Sequence, residues 1–257
     1  MGAVALNAKI LGKGPDLIIL HGLLGSLDNW MTVANQISDS YRVHLIDLRN
    51  HGRSPHTDEM NYRLMAEDVL QHCRTHGLNN VFLAGHSMGG KVVLEILRDQ
   101  GGLVRKAMVI DIGSRAYPSE GHSIIFQALQ AVDPSIIQSR NQADVLMSEY
   151  ISDFPVRQFL LKNLERLPTG GFSWKFNLAS IQANYGDIAS SVVFDQQVFI
   201  PVCFLYGTGS DYITYEDLKS LPRTFAHCRF WPVEGAGHWV HAERPDETVR
   251  AFREWFV

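Results

Sequence analysis

The sequence has little cysteine, no clustered basic charge and no long apolar run, and each absence excludes a class of protein. Its three cysteines, Cys73, Cys203 and Cys228, lie far apart. We expect them to be reduced thiols of a cytosolic protein rather than a disulfide framework or a metal site. Lys and Arg total 23 against 27 Asp and Glu. Because phosphate binding needs a clustered basic surface, we predict no nucleic-acid partner.

The N-terminal segment also lacks the features of a targeting signal. It reads MGAVALNAKILGKG, without a basic region followed by a long apolar stretch, so it does not resemble a secretory signal. Leu6 stands where myristoylation of Gly2 would require Ser or Thr. No apolar run in the chain approaches the ~20 residues of a membrane helix. We therefore predict a cytoplasmic protein without a membrane partner, either monomeric or a weak homo-oligomer.

Short apolar runs, each ending near a Gly, Asp or His, are the clearest pattern that is present. Their hydrophobicity is continuous rather than alternating, which is typical of strands buried on both faces of a parallel sheet. Helical patterns at 27–38, 62–76 and 89–99 separate the early runs, and 245–256 predicts a closing helix. This alternation indicates βαβ units in an α/β fold. The predicted strands are 16–22, 41–49, 80–87, 106–113, 200–207 and 228–235.

Residues 114–196 interrupt this alternation. A loop of that length without structure would be unusual, and we predict a helical cap inserted before the penultimate strand, above the C-terminal edge of the sheet. Its apolar residues, among them Phe159 and Trp174, are expected to set the acyl preference of the site below. The chain is then one domain, 1–257, with a core at 1–113 and 197–257. The predicted cap helices are 119–131, 134–151, 155–166 and 177–190.

The segment Gly85-His-Ser-Met-Gly89 fits the pattern G-x-S-x-G. An apolar strand precedes it and a helical pattern follows it, which is the setting of a nucleophile elbow. In such an elbow Ser87 adopts a strained backbone, and the closely approaching turns leave room only for glycine at the flanking positions. The following helix directs free N–H groups toward a developing oxyanion. Ser87 is therefore the predicted nucleophile.

Five segments together resemble the α/β-hydrolase superfamily, and most of all the small bacterial YbfF-type esterases. They are HGLLGSLDNW, DLRNHGRSP, GHSMGGKVV, VIDIG and GAGHWVHAERP. The resemblance runs from residue 16 to the C-terminus and is strongest outside the predicted cap. It implies a mostly parallel central sheet flanked by helices, and hydrolysis of short carboxylic esters or acyl-CoA thioesters.

The general base is predicted at His238, which follows the last apolar run in the segment Gly-Ala-Gly-His. A loop there brings an imidazole over the same sheet edge as Ser87, within reach of its hydroxyl. His241 is the alternative from the residues alone, whereas the family motif ends at His238. The resemblance also implies that the backbone N–H groups of Leu23 and Met88 form the oxyanion hole.

Two residues remain open for the acid. Asp111 ends a predicted buried strand, where an unpaired carboxylate would be costly and His238 is an available partner. In most members of the superfamily the acid instead follows the penultimate strand, in a loop of the form G-x-x-D. Here Ser210 occupies that place and Asp211 comes one residue later. YbfF-type esterases use the acid at the Asp111 position, and a serine at the Ser210 position joins their hydrogen-bond network.

The sequence thus predicts a serine carboxylesterase that hydrolyses short- to medium-chain esters through an acyl-enzyme, with a small-molecule ester or thioester as its partner. The chemistry requires neither a metal nor an organic cofactor. An acyl-CoA thioesterase is the first alternative, although residues 114–196 hold six Lys and Arg against eight Asp and Glu. Two further alternatives are a carbon–carbon bond hydrolase and a small-molecule receptor on the same fold.

Overall fold

A seven-stranded sheet forms the centre of the molecule. The computed structural model describes residues 2–118 and 120–257, so Ser119, the predicted start of one cap helix, lies outside the described residues, as does Met1. The strands of the described residues are β1 (Ala8–Leu11), β2 (Asp16–Leu20), β3 (Arg42–Ile46), β4 (Val81–His86), β5 (Val104–Ile110), β6 (Leu164–Arg166), β7 (Phe172–Trp174), β8 (Val202–Gly207) and β9 (Cys228–Val233). Along the central sheet their order is β1-β3-β2-β4-β5-β8-β9, and β6 and β7 lie outside it.

Helices cover both faces of this sheet and its C-terminal edge. Of the helices that the structure describes, none is both long and apolar enough to cross a lipid bilayer. The α-helices are α1 (Met31–Ile37), α2 (Tyr62–Thr75), α3 (Met88–Gln100), α4 (Ser123–Gln130), α5 (Arg140–Ser148), α6 (Phe154–Leu161), α7 (Leu178–Ala183), α8 (Tyr185–Ala189), α9 (Tyr215–Thr224), α10 (Val240–Glu243) and α11 (Pro245–Trp255). Two 3-10 turns, Leu27–Trp30 and Gly101–Leu103, precede α1 and β5.

Strands β2, β3, β4, β5 and β8 bury both of their faces along most of their length, as predicted, whereas the edge strand β9 leaves Arg229 and Pro232 exposed. Ile18 and Leu20 of β2 pack into the hydrophobic cluster on one side of the sheet, whereas Leu17 and Ile19 pack into the cluster on the other. This alternation follows from the two-residue period of a strand. Within the seven-stranded sheet, strands β3, β2, β4, β5, β8 and β9 pair in parallel, whereas β1 pairs antiparallel with β3. The predicted architecture, a mostly parallel central sheet flanked by helices, is therefore confirmed.

The segment between β5 and β8 is mainly helical, but its details differ from the prediction. The segment 134–151 forms a helix only from Arg140, where Ser139 caps the first turn with its side chain. The predicted helix 155–166 ends at Leu161, because residues 164–166 pair with 172–174 as a two-stranded antiparallel sheet. Residues 168–171, which lie between two predicted helices, connect these two short strands. Pro155 lies in the first turn of α6, a position that proline favours.

Candidate active site

Ser87 lies at a tight turn between β4 and α3. Its backbone is in the left-handed region, with φ 52°, which a residue with a side chain adopts only when its surroundings enforce it. The Ser87 N–H donates to the carbonyl of Ile110, 2.9 Å away. A Cβ atom on Gly89 would lie 2.6 Å from the carbonyl oxygen of His21, so only glycine fits there. The turn therefore has the geometry of a nucleophile elbow.

His238 is the imidazole that reaches Ser87. Its Nε2 lies 3.1 Å from Oγ of Ser87, and its ring stacks on Tyr212 at a centroid distance of 3.9 Å. The backbone carbonyl of His238 is hydrogen-bonded to Nε2 of His86 at 2.8 Å, which ties the loop to the elbow. The alternative histidine, His241, is buried and stacks on Trp30 instead.

Asp111 completes this chain of contacts from the end of β5. Its Oδ2 lies 2.7 Å from Nδ1 of His238 and accepts a hydrogen bond from the Ser210 hydroxyl at 2.5 Å. The Gly207 N–H donates to Oδ1 at 3.1 Å. Asp111 is fully buried and has φ 51°, so its backbone is held in the left-handed region as that of Ser87 is. Asp211 lies instead in an exposed loop.

Burial is the largest influence on the pKa values of His238 and Asp111. It lowers the pKa of His238 below its ordinary value, so the ring is neutral at neutral pH, as a general base must be. Burial also raises the pKa of Asp111, and the hydrogen bonds from Ser210 and Gly207 oppose that effect. With His238 there are three donors around this carboxylate, and donors to the charged form stabilise it. Ser210 thus has a defined contact, although its part in the chemistry stays a prediction.

Leu23 and Met88 lie beside Ser87, where the sequence predicts the oxyanion hole. Both residues line the cavity next to Ser87. Met88 is the first residue of α3, and N–H groups in the first turn of a helix have no acceptor within that helix. The positive end of the helix dipole adds to the attraction for an anion.

Two cavities meet at Ser87. The larger, of about 350 Å³, lies beneath the segment between β5 and β8. The smaller, of about 40 Å³, is lined by His238, and Phe159 also lies on its wall. Trp174 lines neither cavity and stacks on Phe176 at a centroid distance of 5.1 Å. Of these two aromatic residues that the sequence singled out, only Phe159 therefore reaches the site.

The polar groups of the larger cavity are mostly occupied by contacts within the protein. The Tyr62 hydroxyl donates to the carbonyl of Ile188 at 2.5 Å, and the Tyr117 hydroxyl donates to that of Tyr212 at 2.8 Å. These rings consequently present apolar faces to the cavity. Such a lining suits a hydrocarbon chain.

Two residues of the site were missed by the sequence reasoning. Lys91, in the first turn of α3, is buried, and its Nζ donates to the carbonyls of Ser114, Arg115 and Ser190. These carbonyls lie near the two ends of the segment between β5 and β8. Lys91 therefore connects both ends to α3, the elbow helix. Its place in GHSMGGK was a signal, because a lysine on a buried helix face needs partners. The second, His122, lines both cavities, and no local pattern distinguishes it.

Known proteins are similar to this chain along most of its length. A family model described as the α/β-hydrolase fold matches residues 15–245. The chain is 34% identical to esterase YbfF of Escherichia coli (strain K12), with 98% of this chain and 96% of YbfF covered. It is 35% identical to the sn-1-specific diacylglycerol lipase ABHD11 of Xenopus laevis, with 93% and 78% covered.

A solved structure is also closely similar. A marine microorganism esterase superposes with a TM-score of 0.96 at 39% identity, and the match covers 98% of this chain and all of the other. Taken with the family model and the curated relatives, this likeness confirms the predicted enzyme class. The chain belongs to the α/β-hydrolase fold family and is a carboxylic ester hydrolase.

Proposed function

We propose that this enzyme hydrolyses short- to medium-chain carboxylic esters through an acyl-enzyme on Ser87, with His238 as general base and Asp111 as the acid. The observation that carries the proposal is the continuous series of contacts, 3.1 Å from Ser87 Oγ to His238 Nε2 and 2.7 Å from His238 Nδ1 to Asp111 Oδ2. Both distances are short enough for a hydrogen bond along which a proton can be transferred.

The steps follow from these contacts. Nε2 of His238 takes the proton of Ser87 as Oγ bonds to the ester carbonyl carbon, and the N–H groups of Leu23 and Met88 stabilise the oxyanion. The carbon–oxygen bond to the alcohol then breaks, and the alcohol leaves with the proton from His238. Water repeats the sequence on the acyl-enzyme, releasing the acid and restoring Ser87. Asp111 orients His238 and stabilises its cation, while Ser210 holds the carboxylate.

The positions of the two cavities support one arrangement of the two halves of the ester. Since His238 protonates the departing alcohol, the alcohol must lie on the side of His238, in the smaller cavity. The acyl chain then occupies the larger one, whose 350 Å³ lies at the lower end of the range for small-molecule sites. This size favours short and medium acyl chains.

The test is the pair Ser87→Ala and Ser148→Ala, assayed on chromogenic esters of graded acyl length. Ser87→Ala should lower kcat by a factor on the order of 10⁴ or more while the protein stays folded. Ser148→Ala, an exposed serine at the end of α5, should match the wild type. A phosphonate reagent should label Ser87 once per chain, as read by peptide mass spectrometry. Labelling at another serine, or near-normal turnover by Ser87→Ala, would refute the proposal.

A further inference from the structure

His122 is a second histidine at the site and comes from the segment between β5 and β8. It directly precedes α4. Together with Ser87 and Leu23 it lines both cavities, so it stands at the junction where the two halves of an ester would part. No step of the proposed mechanism uses it.

One side of the His122 ring is held by the protein and the other is open. Nδ1 is hydrogen-bonded to the Tyr185 hydroxyl at 2.6 Å. The Tyr185 ring packs edge-on against buried Phe126 at 5.1 Å, which supports this arrangement. In the described part of the chain, Nε2 has no hydrogen-bond partner and is not among the buried polar atoms left unpaired. Nε2 is therefore accessible for a contact with a ligand in the cavity.

The smaller cavity has few other polar side-chain groups to offer. Nε2 of His86 is occupied by the carbonyl of His238, and Ser87 and His238 are committed to the reaction. Most of the remaining wall is aliphatic or aromatic, namely Leu24, Ile125, Val156, Phe159, Leu160 and Trp239. Burial lowers the pKa of His122, so its ring is neutral at neutral pH and has one donor and one acceptor nitrogen. A hydroxyl both donates and accepts, so it pairs with Nε2 in either tautomer.

We propose that Nε2 of His122 hydrogen-bonds a hydroxyl on the alcohol half of the substrate, which makes the enzyme selective for monoesters of small diols and polyols over simple alkyl esters. This inference rests on the proposed function, because it takes the smaller cavity as the alcohol site. His122 is then a specificity-determining residue, and Tyr185 is a positioning residue that fixes its ring.

The test compares two esters whose alcohols have the same size, 2-hydroxyethyl butanoate and propyl butanoate. The measured quantity is the ratio of their kcat/KM values. His122→Gln places an amide where Nε2 lies, whereas His122→Asn places it near Nδ1 and withdraws it from the cavity. His227→Phe replaces an exposed histidine outside both cavities and serves as the control.

The wild type, His122→Gln and His227→Phe should prefer the hydroxylated ester. In His122→Asn the ratio should fall about three- to tenfold, the effect of one lost hydrogen bond. Tyr185→Phe should lower it as well, because the ring loses its support, and this variant decides the matter if His122→Asn does not fold.

A ratio that is unchanged in folded His122→Asn, or a wild type without preference, would overturn the role of His122. Hydrolysis of propyl butanoate that still depends on Ser87 would then leave the proposed function intact. If Ser87→Ala hydrolyses both esters at the wild-type rate, the proposed function itself fails.

Discussion

The C-terminal edge of the sheet and the segment between β5 and β8 build the same cavities by different means. At the edge, backbone geometry places the groups: Ser87 and Asp111 both hold left-handed conformations next to buried strands, each at a cost of ~1–3 kcal/mol that the packing must offset. In the segment between β5 and β8, the helical segment, short helices and side-chain contacts form the other wall of the cavities. Ile124 and Phe154 of this segment are more than half exposed. The difference indicates that the sheet fixes the proposed reacting groups while the helical segment shapes the space around them.

The largest effect expected within this comparison is at the sheet edge. Asp111→Asn should lower kcat by up to ~10⁴, because the amide stabilises the wrong tautomer of His238. The measurement is kcat on a short-chain ester, with circular dichroism to verify that the variant is folded. Asp211→Asn is the matched control in the exposed loop and should stay within tenfold of the wild type.

Ser210→Ala should fall between these two variants, since it removes one of the three donors to Asp111 but leaves the carboxylate on His238. The opposite ranking of the two Asp variants would transfer the role of the acid to Asp211 and leave Ser87 and His238 unaffected.

A smaller effect is expected in the helical segment, and it should appear in selectivity rather than in chemistry. Phe159 lines the smaller cavity, the proposed alcohol site, so we now expect it to affect the alcohol rather than the acyl preference predicted from the sequence. Phe159→Ala enlarges that cavity, and for esters of one acid the kcat/KM ratio of a bulky alkyl ester to the methyl ester should rise about tenfold or more, given ~1–3 kcal/mol per methylene in an apolar pocket. Trp174→Ala, on a half-buried aromatic outside both cavities, should lower the melting temperature and leave that ratio flat. If the ratio rises in both variants, the helical segment affects selectivity through its stability rather than through the wall of the smaller cavity.

The smallest effect concerns pH. The proposed mechanism needs neutral His238, so activity should be lost as pH falls through the pKa of that ring. Because burial lowers this pKa from its ordinary 6.5, the acid limb of kcat/KM should have its midpoint below pH 6.5. Initial rates at subsaturating ester across the acid range measure it, on protein shown to be folded at each pH. A midpoint above pH 6.5 would mean that the charge on Asp111 outweighs burial.

The sequence predicted the sheet edge better than the helical segment, for a physical reason. Strands such as β2 are marked by continuous apolar runs. The turn around Ser87 is marked by glycines at positions where any side chain would collide with the neighbouring backbone. Strand β1 was missed because its four residues are half-buried or exposed and have no such run. His122 was missed because its meaning depends on Tyr185, 63 residues away in sequence. Contacts of that kind arise only after the chain has folded.

The position of Lys91 has a consequence for engineering this protein. Its Nζ donates to the carbonyls of Ser114 and Ser190, so this buried amine joins both ends of the helical segment to the elbow helix. A chimaera that grafts a foreign segment between these positions must supply backbone carbonyls to Lys91. Otherwise Lys91 must be replaced by an uncharged residue in the same design. A graft that keeps the lysine without its acceptors would leave a buried amine without hydrogen-bond partners, at a cost of ~1–3 kcal/mol, and burial already lowers the pKa of Lys91 to about 7. Exchange of Lys91 for methionine together with the segment is therefore the first design to build.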